Sequence, residues 1–176
     1  MAIPVTLVDA RRQLRMEIDD TSRDVELGQF IADAAGWVEK YTGHVLVARD
    51  VEEQFASFDR LQLRAWPVKP DSAIAVEFQD RAGAAIAIAG ARVVVRRRPA
   101  FAMPAFGTGW PAVGAGVVTV TVHAGYEPTD VVPGNFRRAM LVLITAYDVD
   151  REGGEVFATA ERTARLLCTD FRARAL

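Results

Sequence analysis

Residues 24–43 read DVELGQFIADAAGWVEKYTG. Leu27, Phe30, Ile31, Ala34, Val38 and Tyr41 recur at spacings of three, four and seven, which predicts an amphipathic α-helix with one buried face. Thr21 and Ser22 stand before it as candidate N-caps. Asp24 and Glu26 fall in the first turn, where negative charge suits the helix dipole. Gly43 supplies the left-handed stop. Burying such a face is worth on the order of 10 kcal/mol gross, before the entropy of ordering the chain is subtracted. A helix of this kind needs a large apolar partner, and the rest of the chain has to provide it.

Upstream, TLVDARRQLRM (6–16) predicts a short helix. Thr6 and Asp9 stand at capping-box spacing, and Leu7, Ala10 and Leu14 form an apolar edge. The acidic EIDDTSRD then reads as a solvated link. Downstream, helical period returns at VVPGNFRRAMLVLITAYDVDRE. Pro133 suits a first turn. Phe136, Met140, Leu143, Ile144 and Tyr147 form its main stripe, and Leu141, Val142, Thr145 and Val149 make it apolar nearly all round. This is the expected central buried helix and the main partner of residues 24–43. Gly153-Gly154 ends it. A last helix, 156–174, carries Phe157, Ala160, Ala164, Leu167 and Phe171 at steps of three and four.

Between these helices the period changes to that of strands. Segments 45–58, 61–66, 73–79, 84–90, 91–98 and 116–126 are rich in β-formers or alternate. Asp80-Arg81-Ala82-Gly83 gives a hairpin turn, and Pro67 and Pro70 argue against an interior strand at 67–71. Val118, Val120 and Val122 alternate with Thr119 and Thr121 in the strongest strand. The expected class is therefore α+β: a small four-helix bundle, with two N-terminal and two C-terminal helices, carrying an inserted antiparallel β lobe. In this reading 1–44 and 127–176 are the helical scaffold and 45–126 the lobe, within a single domain.

The bulk composition narrows the function. The chain has 176 residues, 51% hydrophobic and 25% charged, with net charge −2. That balance excludes a broad basic field for nucleic acid. The single cysteine, Cys168, excludes an internal disulfide and reads as a small core residue. No apolar run reaches the length of a membrane span, and nothing resembles a signal peptide, so synthesis in the cytoplasm is expected.

No active-site constellation emerges. His44 and His123 lie in different elements without further donors at ligand spacing. Asp148, Asp150, Glu152 and Glu155 sit beside two glycines, with nothing apolar placed to raise a carboxyl pKa. GTGWPAVGAG (107–116) lacks the following helix and the Lys-Ser/Thr of a phosphate loop. It reads as a long loop anchored by Trp110, either plain or in contact with another chain. The run Arg96, Arg97 and Arg98 reads as a solvated strand end, a subunit-interface ion pair, or a contact with a nucleic-acid backbone. The expectation is no enzyme, no cofactor and no metal.

The order of short phrases is more specific than any one of them. Thr6-Leu7, Ala10-Arg11 and Leu14-Arg15 lead through Asp19-Asp20 into the long helix, which ends Val38-Glu39-Lys40-Tyr41-Thr42-Gly43-His44-Val45-Leu46. Ala124-Gly125-Tyr126 closes the last strand. Val132-Pro133-Gly134-Asn135-Phe136-Arg137-Arg138-Ala139-Met140-Leu141 opens the central helix, and Asp150-Arg151-Glu152 ends it. This succession resembles the head–tail connector (adaptor) proteins of long-tailed bacteriophages and phage-like gene transfer agents. His44 replaces the usual basic residue and Asp150 the common Asn; the likeness is dense at 6–46 and 122–152 and only outlined between them.

The resemblance implies a structural role in the virion or phage-like particle. Subunits of such proteins form a ring, commonly a dodecamer, beneath the portal, extending the DNA channel and meeting the stopper or tail terminator below. DNA would pass through without sequence-specific binding. The terminal helix commonly docks on the portal, which here implicates Phe157, Arg162, Arg165, Leu167, Phe171, Arg172 and Arg174. Arg96, Arg97, Arg98 and Trp110 are the candidate subunit or partner contacts. The competing reading is a small DNA-binding packaging or regulatory factor, resting on the arginines alone.

Overall fold

The computed structural model describes residues 4–80, 82–96, 98–111, 116–128 and 130–172. They divide into two compact units, Met1–Val47 with Tyr126–Leu176, and Ala48–Gly125.

The first unit is helical: α1 (Leu7–Gln13), α2 (Asp24–Thr42), α3 (Gly134–Val149) and α4 (Glu155–Cys168), followed by a 3-10 turn at Thr169–Phe171. The Thr6 hydroxyl accepts from the Asp9 amide at 3.2 Å and the Asp9 carboxylate accepts from the Thr6 amide at 3.0 Å, completing the capping box. Gly43 ends α2 at φ 70°, a backbone state in which a side chain would be strained. Neither Thr21 nor Ser22 caps α2. Arg23 holds that position without a side-chain cap bond, and its guanidinium instead joins Glu26 and Asp148. Asp24 pairs with Arg11, which is only 7% exposed and also donates to the Ile18 carbonyl at 2.7 Å.

α3 is the hub of this unit, in contact with α1, α2 and α4. Phe136, Met140, Leu143 and Ile144 are fully buried, and they share one core with Ile31, Ala34 and Val38 of α2, and Ala164 and Cys168 of α4. The expected four-helix bundle of two N-terminal and two C-terminal helices is overturned. α1 has seven residues against the nineteen of α2. At 1.5 Å per residue it is about 10 Å long, too short to be a fourth bundle helix. The described strands form two antiparallel sheets.

The second unit contains β1 (Arg49–Phe55), β2 (Gln62–Leu63), β3 (Ile74–Gln79), β4 (Ala85–Ile88), β5 (Arg92–Val94), β6 (Ala100–Met103) and β7 (Val118–Ala124). One sheet has the order β1-β7-β3-β4 and the other β2-β6-β5; all pairings are antiparallel. β7 is interior to its sheet, and Val118, Val120 and Val122 are fully buried. The β3–β4 turn is held by the Asp80 carboxylate, which accepts from the amides of Ala82 and Ala84 at 2.8 and 2.9 Å. The strand expected at 61–66 shrinks to Gln62–Leu63 because the segment runs into Pro67 and pairs only with β6. The segment 91–98 keeps only Arg92–Val94, whose partner β6 carried no strong alternation of its own.

Candidate assembly surface

The residues expected to dock on a partner fall into two groups. Phe157, Leu167 and Phe171 are half-buried and pack on the core of the helical unit. The Phe157 ring lies 5.6 Å from that of Tyr147, and the Phe171 ring 4.8 Å from that of Phe136. The Leu167 carbonyl accepts from the Asn135 side chain at 3.0 Å. α4 thus buries its apolar stripe within its own unit. Arg162, Arg165 and Arg172 are exposed; Arg174 lies outside the described residues.

Two of these arginines belong to a strip running across α2 and α4. The Arg172 guanidinium sits 4.8 Å from the Tyr41 ring centre, and Tyr41 stacks on Trp37 at 5.0 Å. The Trp37 indole donates to the Glu161 carboxylate at 3.2 Å, and Glu161 pairs with Arg165 at 2.9 Å. Hydrogen bonds from Arg165 and then Trp37 hold the Glu161 carboxyl below its ordinary pKa. Sequence reading assigned Trp37 no role, because it flanks the apolar stripe of α2.

A groove of about 490 Å³ lies between α1, α3 and α4, lined by Gln13, Val142, Thr145, Val156, Thr159 and Thr163 among others. Gln13 donates to the Thr145 hydroxyl at 3.0 Å, tying α1 to α3. Val156 and Leu166 on α4 are 50% and 74% exposed. Ala146, Glu155 and Ala160 complete the lining, so the groove offers threonine hydroxyls, methyl groups and one carboxylate.

Asp150 has a positioning role. Its carboxylate accepts from the Gly154 amide at 2.9 Å and the Phe157 amide at 3.0 Å, so it caps α4 from the end of α3. These two bonds, Phe157 first, keep its carboxyl below the ordinary carboxylate range. A pair of acids beside two glycines is thus a helix junction. Cys168 is fully buried, and burial pushes its thiol up to about 11, which removes it as a nucleophile at neutral pH. Among the described residues no group of three or more His, Cys, Asp or Glu is placed to hold a metal ion.

In the second unit, Trp110 stacks on Phe58 at 5.2 Å, and Phe58 meets Phe78 edge-on at 5.7 Å. Arg96 is exposed. Arg98 is half-buried, its guanidinium 6.0 Å from the Trp66 ring centre. Arg97 lies outside the described residues.

The whole chain superposes on a chain from the neck of an empty gene transfer agent particle computed with C6 symmetry. The TM-score is 0.76 at 22% identity, over 100% of this chain and 94% of the other. The fold is that of a gene transfer agent neck chain. The same coverage and 22% identity, with a TM-score of 0.69, relate it to chains in the virion of a native gene transfer agent particle and in its neck computed with C12 symmetry. No protein-family model and no curated protein matches the sequence, so the likeness is carried by the neck fold itself. Among the described residues no helix is long and apolar enough to cross a membrane.

Proposed function

We propose that this chain is a structural head–tail connector of a tailed phage or phage-like particle, acting in the virion neck without catalysis. The observation that carries the reading is the end-to-end match of both units to the neck fold, over 100% of the chain. The ordered phrases at 6–46 and 122–152 support it independently. In this role copies of the chain form a ring, commonly a dodecamer, beneath the portal. The ring extends the DNA channel and meets a stopper or tail terminator below. A net charge of −2 suits a channel that lets DNA pass without gripping it.

α4 is the portal-docking element in this reading. Phe157, Leu167 and Phe171 fix the helix on its own core, and Arg162, Arg165 and Arg172 are the side chains offered to the portal. Imaging the purified chain mixed with its portal protein by electron microscopy tests the role. The expected result is a ring of added density beneath the portal; a chain that never docks there overturns it.

A further inference from the structure

The β1-β7-β3-β4 sheet ends in two edges of opposite character. β4 lies in GAAIAIAGA (83–91), nine residues without a charge. Ala85, Ile86 and Ala87 are all exposed. Soluble proteins guard such edges with lysine, proline or a bulge, and the described β4 has none of these. β1, by contrast, carries Arg49, Asp50, Glu52 and Glu53.

Hydrogen-bond parity fixes which backbone groups each edge turns outward. The Asp80 amide donates to the Ala84 carbonyl at 3.0 Å, while the Gln79 amide turns the other way, to Val117. In an antiparallel ladder these roles alternate. Phe78–Ile86 and Val76–Ile88 therefore exchange bonds, and Ala85 and Ala87 point their N–H and C=O groups away from the sheet. The same alternation carried through β7 leaves Asp50, Glu52 and Gln54 facing outward on β1.

Two further facts select the partner. The sheet has four strands in strict antiparallel order, so the β1 of a second copy, added beside β4 in the same sense, arrives antiparallel to it. The faces also match. Ala85 and Ala87 lie on the Thr119 and Thr121 face, as Glu52 and Gln54 do. Ile86, Ile88, Val51 and Phe55 lie on the face of Val118, Val120 and Val122. Pairing the outward residues of β4 with those of β1 sets Ile86 and Ile88 on the same face as Val51 and Phe55, a face that β1 shares with Arg49 and Glu53.

We infer that β4 of one copy pairs with β1 of the next, so that one antiparallel sheet runs from subunit to subunit. This inference rests on the ring reading above and names the contact that closes it. The interface is head-to-tail, as a rotational ring requires. Small Ala85 and Ala87 side chains let the neighbouring backbone approach, and backbone hydrogen bonds supply the pairing.

The test uses the full chain, alone and on its portal. Ala87→Pro removes an outward N–H without touching the β3 ladder, and Ile86→Lys guards the edge. Each is expected to weaken self-association at least tenfold in sedimentation velocity, with an unchanged circular dichroism spectrum. Ala87→Cys combined with Glu52→Cys or Gln54→Cys is expected to give ladders of disulfide-linked multimers in mild oxidant. Multimers that form as well with Ala87→Pro, or that never link 87 to 52 or 54, overturn the pairing and leave the ring intact. Efficient linkage by Ala87→Cys alone overturns it in favour of a two-fold β4–β4 dimer. A chain that stays monomeric alone and on the portal overturns the ring reading, and the pairing with it.

Discussion

The Nδ1 atom of His44 lies 2.8 Å from the hydroxyl of Tyr126, joining the two points where the helical unit is interrupted by Ala48–Gly125. The Tyr126 amide also donates to the Val45 carbonyl at 3.2 Å. His44 is 5% exposed, stacks along Tyr126 and meets Phe136 edge-on at 4.9 Å. Long insertions cost little loop entropy once their ends are held together, and this pair does the holding. Tyr126→Phe keeps the ring stack and deletes the hydroxyl. The expected loss is about 1 kcal/mol of stability, read as a lower midpoint in urea. An unchanged midpoint would show that the bond contributes nothing.

Phe136 tests the hub role of α3. It is fully buried and touches the rings of His44 and Phe171. Phe136→Ala is expected to cost about 3–5 kcal/mol, since it removes a large side chain and leaves a cavity. Leu166→Ala, at a side chain 74% exposed on α4, is expected to stay within about 0.5 kcal/mol of the parent. Chemical denaturation of the two variants side by side checks the contrast; equal losses would mean that α3 is not the centre of the core.

Acid should loosen the α3–α4 junction. The Asp150 carboxyl is held below the ordinary carboxylate range by the Phe157 and Gly154 amides. The unfolded chain therefore takes up this proton first as pH falls. The stabilisation is fully present above the ordinary carboxylate range and is lost as pH drops through the lowered folded value. Asp9 and Glu161 are shifted the same way, so their contributions fall in the same acid window. Asp150→Ala is expected to lower the thermal midpoint at pH 7 and to make the acid limb shallower between about pH 5 and 2. Asp150→Asn should keep part of the cap at neutral pH and lose its dependence on acid. Superimposable acid limbs for parent and Ala variant would contradict the cap.

Much of the helical unit was legible in the sequence because its signals are local. The Thr6–Asp9 box, the Gly43 stop and the apolar periods of α2, α3 and α4 each need only neighbours in the chain. What was not legible depends on distant pairing. β6 became a strand because β2 and β5 flank it, and Gln62–Leu63 stayed short because its only ladder is with β6. Asp24 and Arg23 looked like dipole and loop residues, yet they pair with Arg11 and Asp148. Asp150 could have been found as a cap from its place before Gly153-Gly154 and a new helical period. The surface strip through Trp37 and Glu161 left no periodic trace, since it joins residues 124 positions apart.

Cys168 offers a check on the packing of α4. It is fully buried, and its thiol is pushed up to about 11. At pH 8 an aromatic disulfide reagent is expected to modify it only as fast as α4 opens, at least tenfold slower than in urea-unfolded chain. Equal rates in both states would mean that α4 detaches from the core in solution. Truncation after Gly154 removes Ala160, Ala164 and Cys168 from the core, so it should unfold the helical unit rather than only abolish docking.

Docking itself is best addressed through the exposed arginines. Arg162 and Arg165 lie on the open side of α4, and Arg165 contacts only Glu161 among the ion pairs described. Exposed pairs of this kind contribute little to folding. Arg162→Glu with Arg165→Glu should therefore leave the melting midpoint near that of the parent. If α4 meets an acidic surface of the portal, the same double variant should bind it at least tenfold more weakly. The parent's affinity should fall with added salt, because contacts at an exposed rim are screened beyond about 10 Å at 0.1 M. Phe171→Ala provides the complementary case: it disturbs the Phe136 contact and should lower stability first. Surface plasmon resonance against immobilised portal protein, with melting curves in parallel, separates the two outcomes. Unaltered portal binding by the double variant would remove Arg162 and Arg165 from the docking surface.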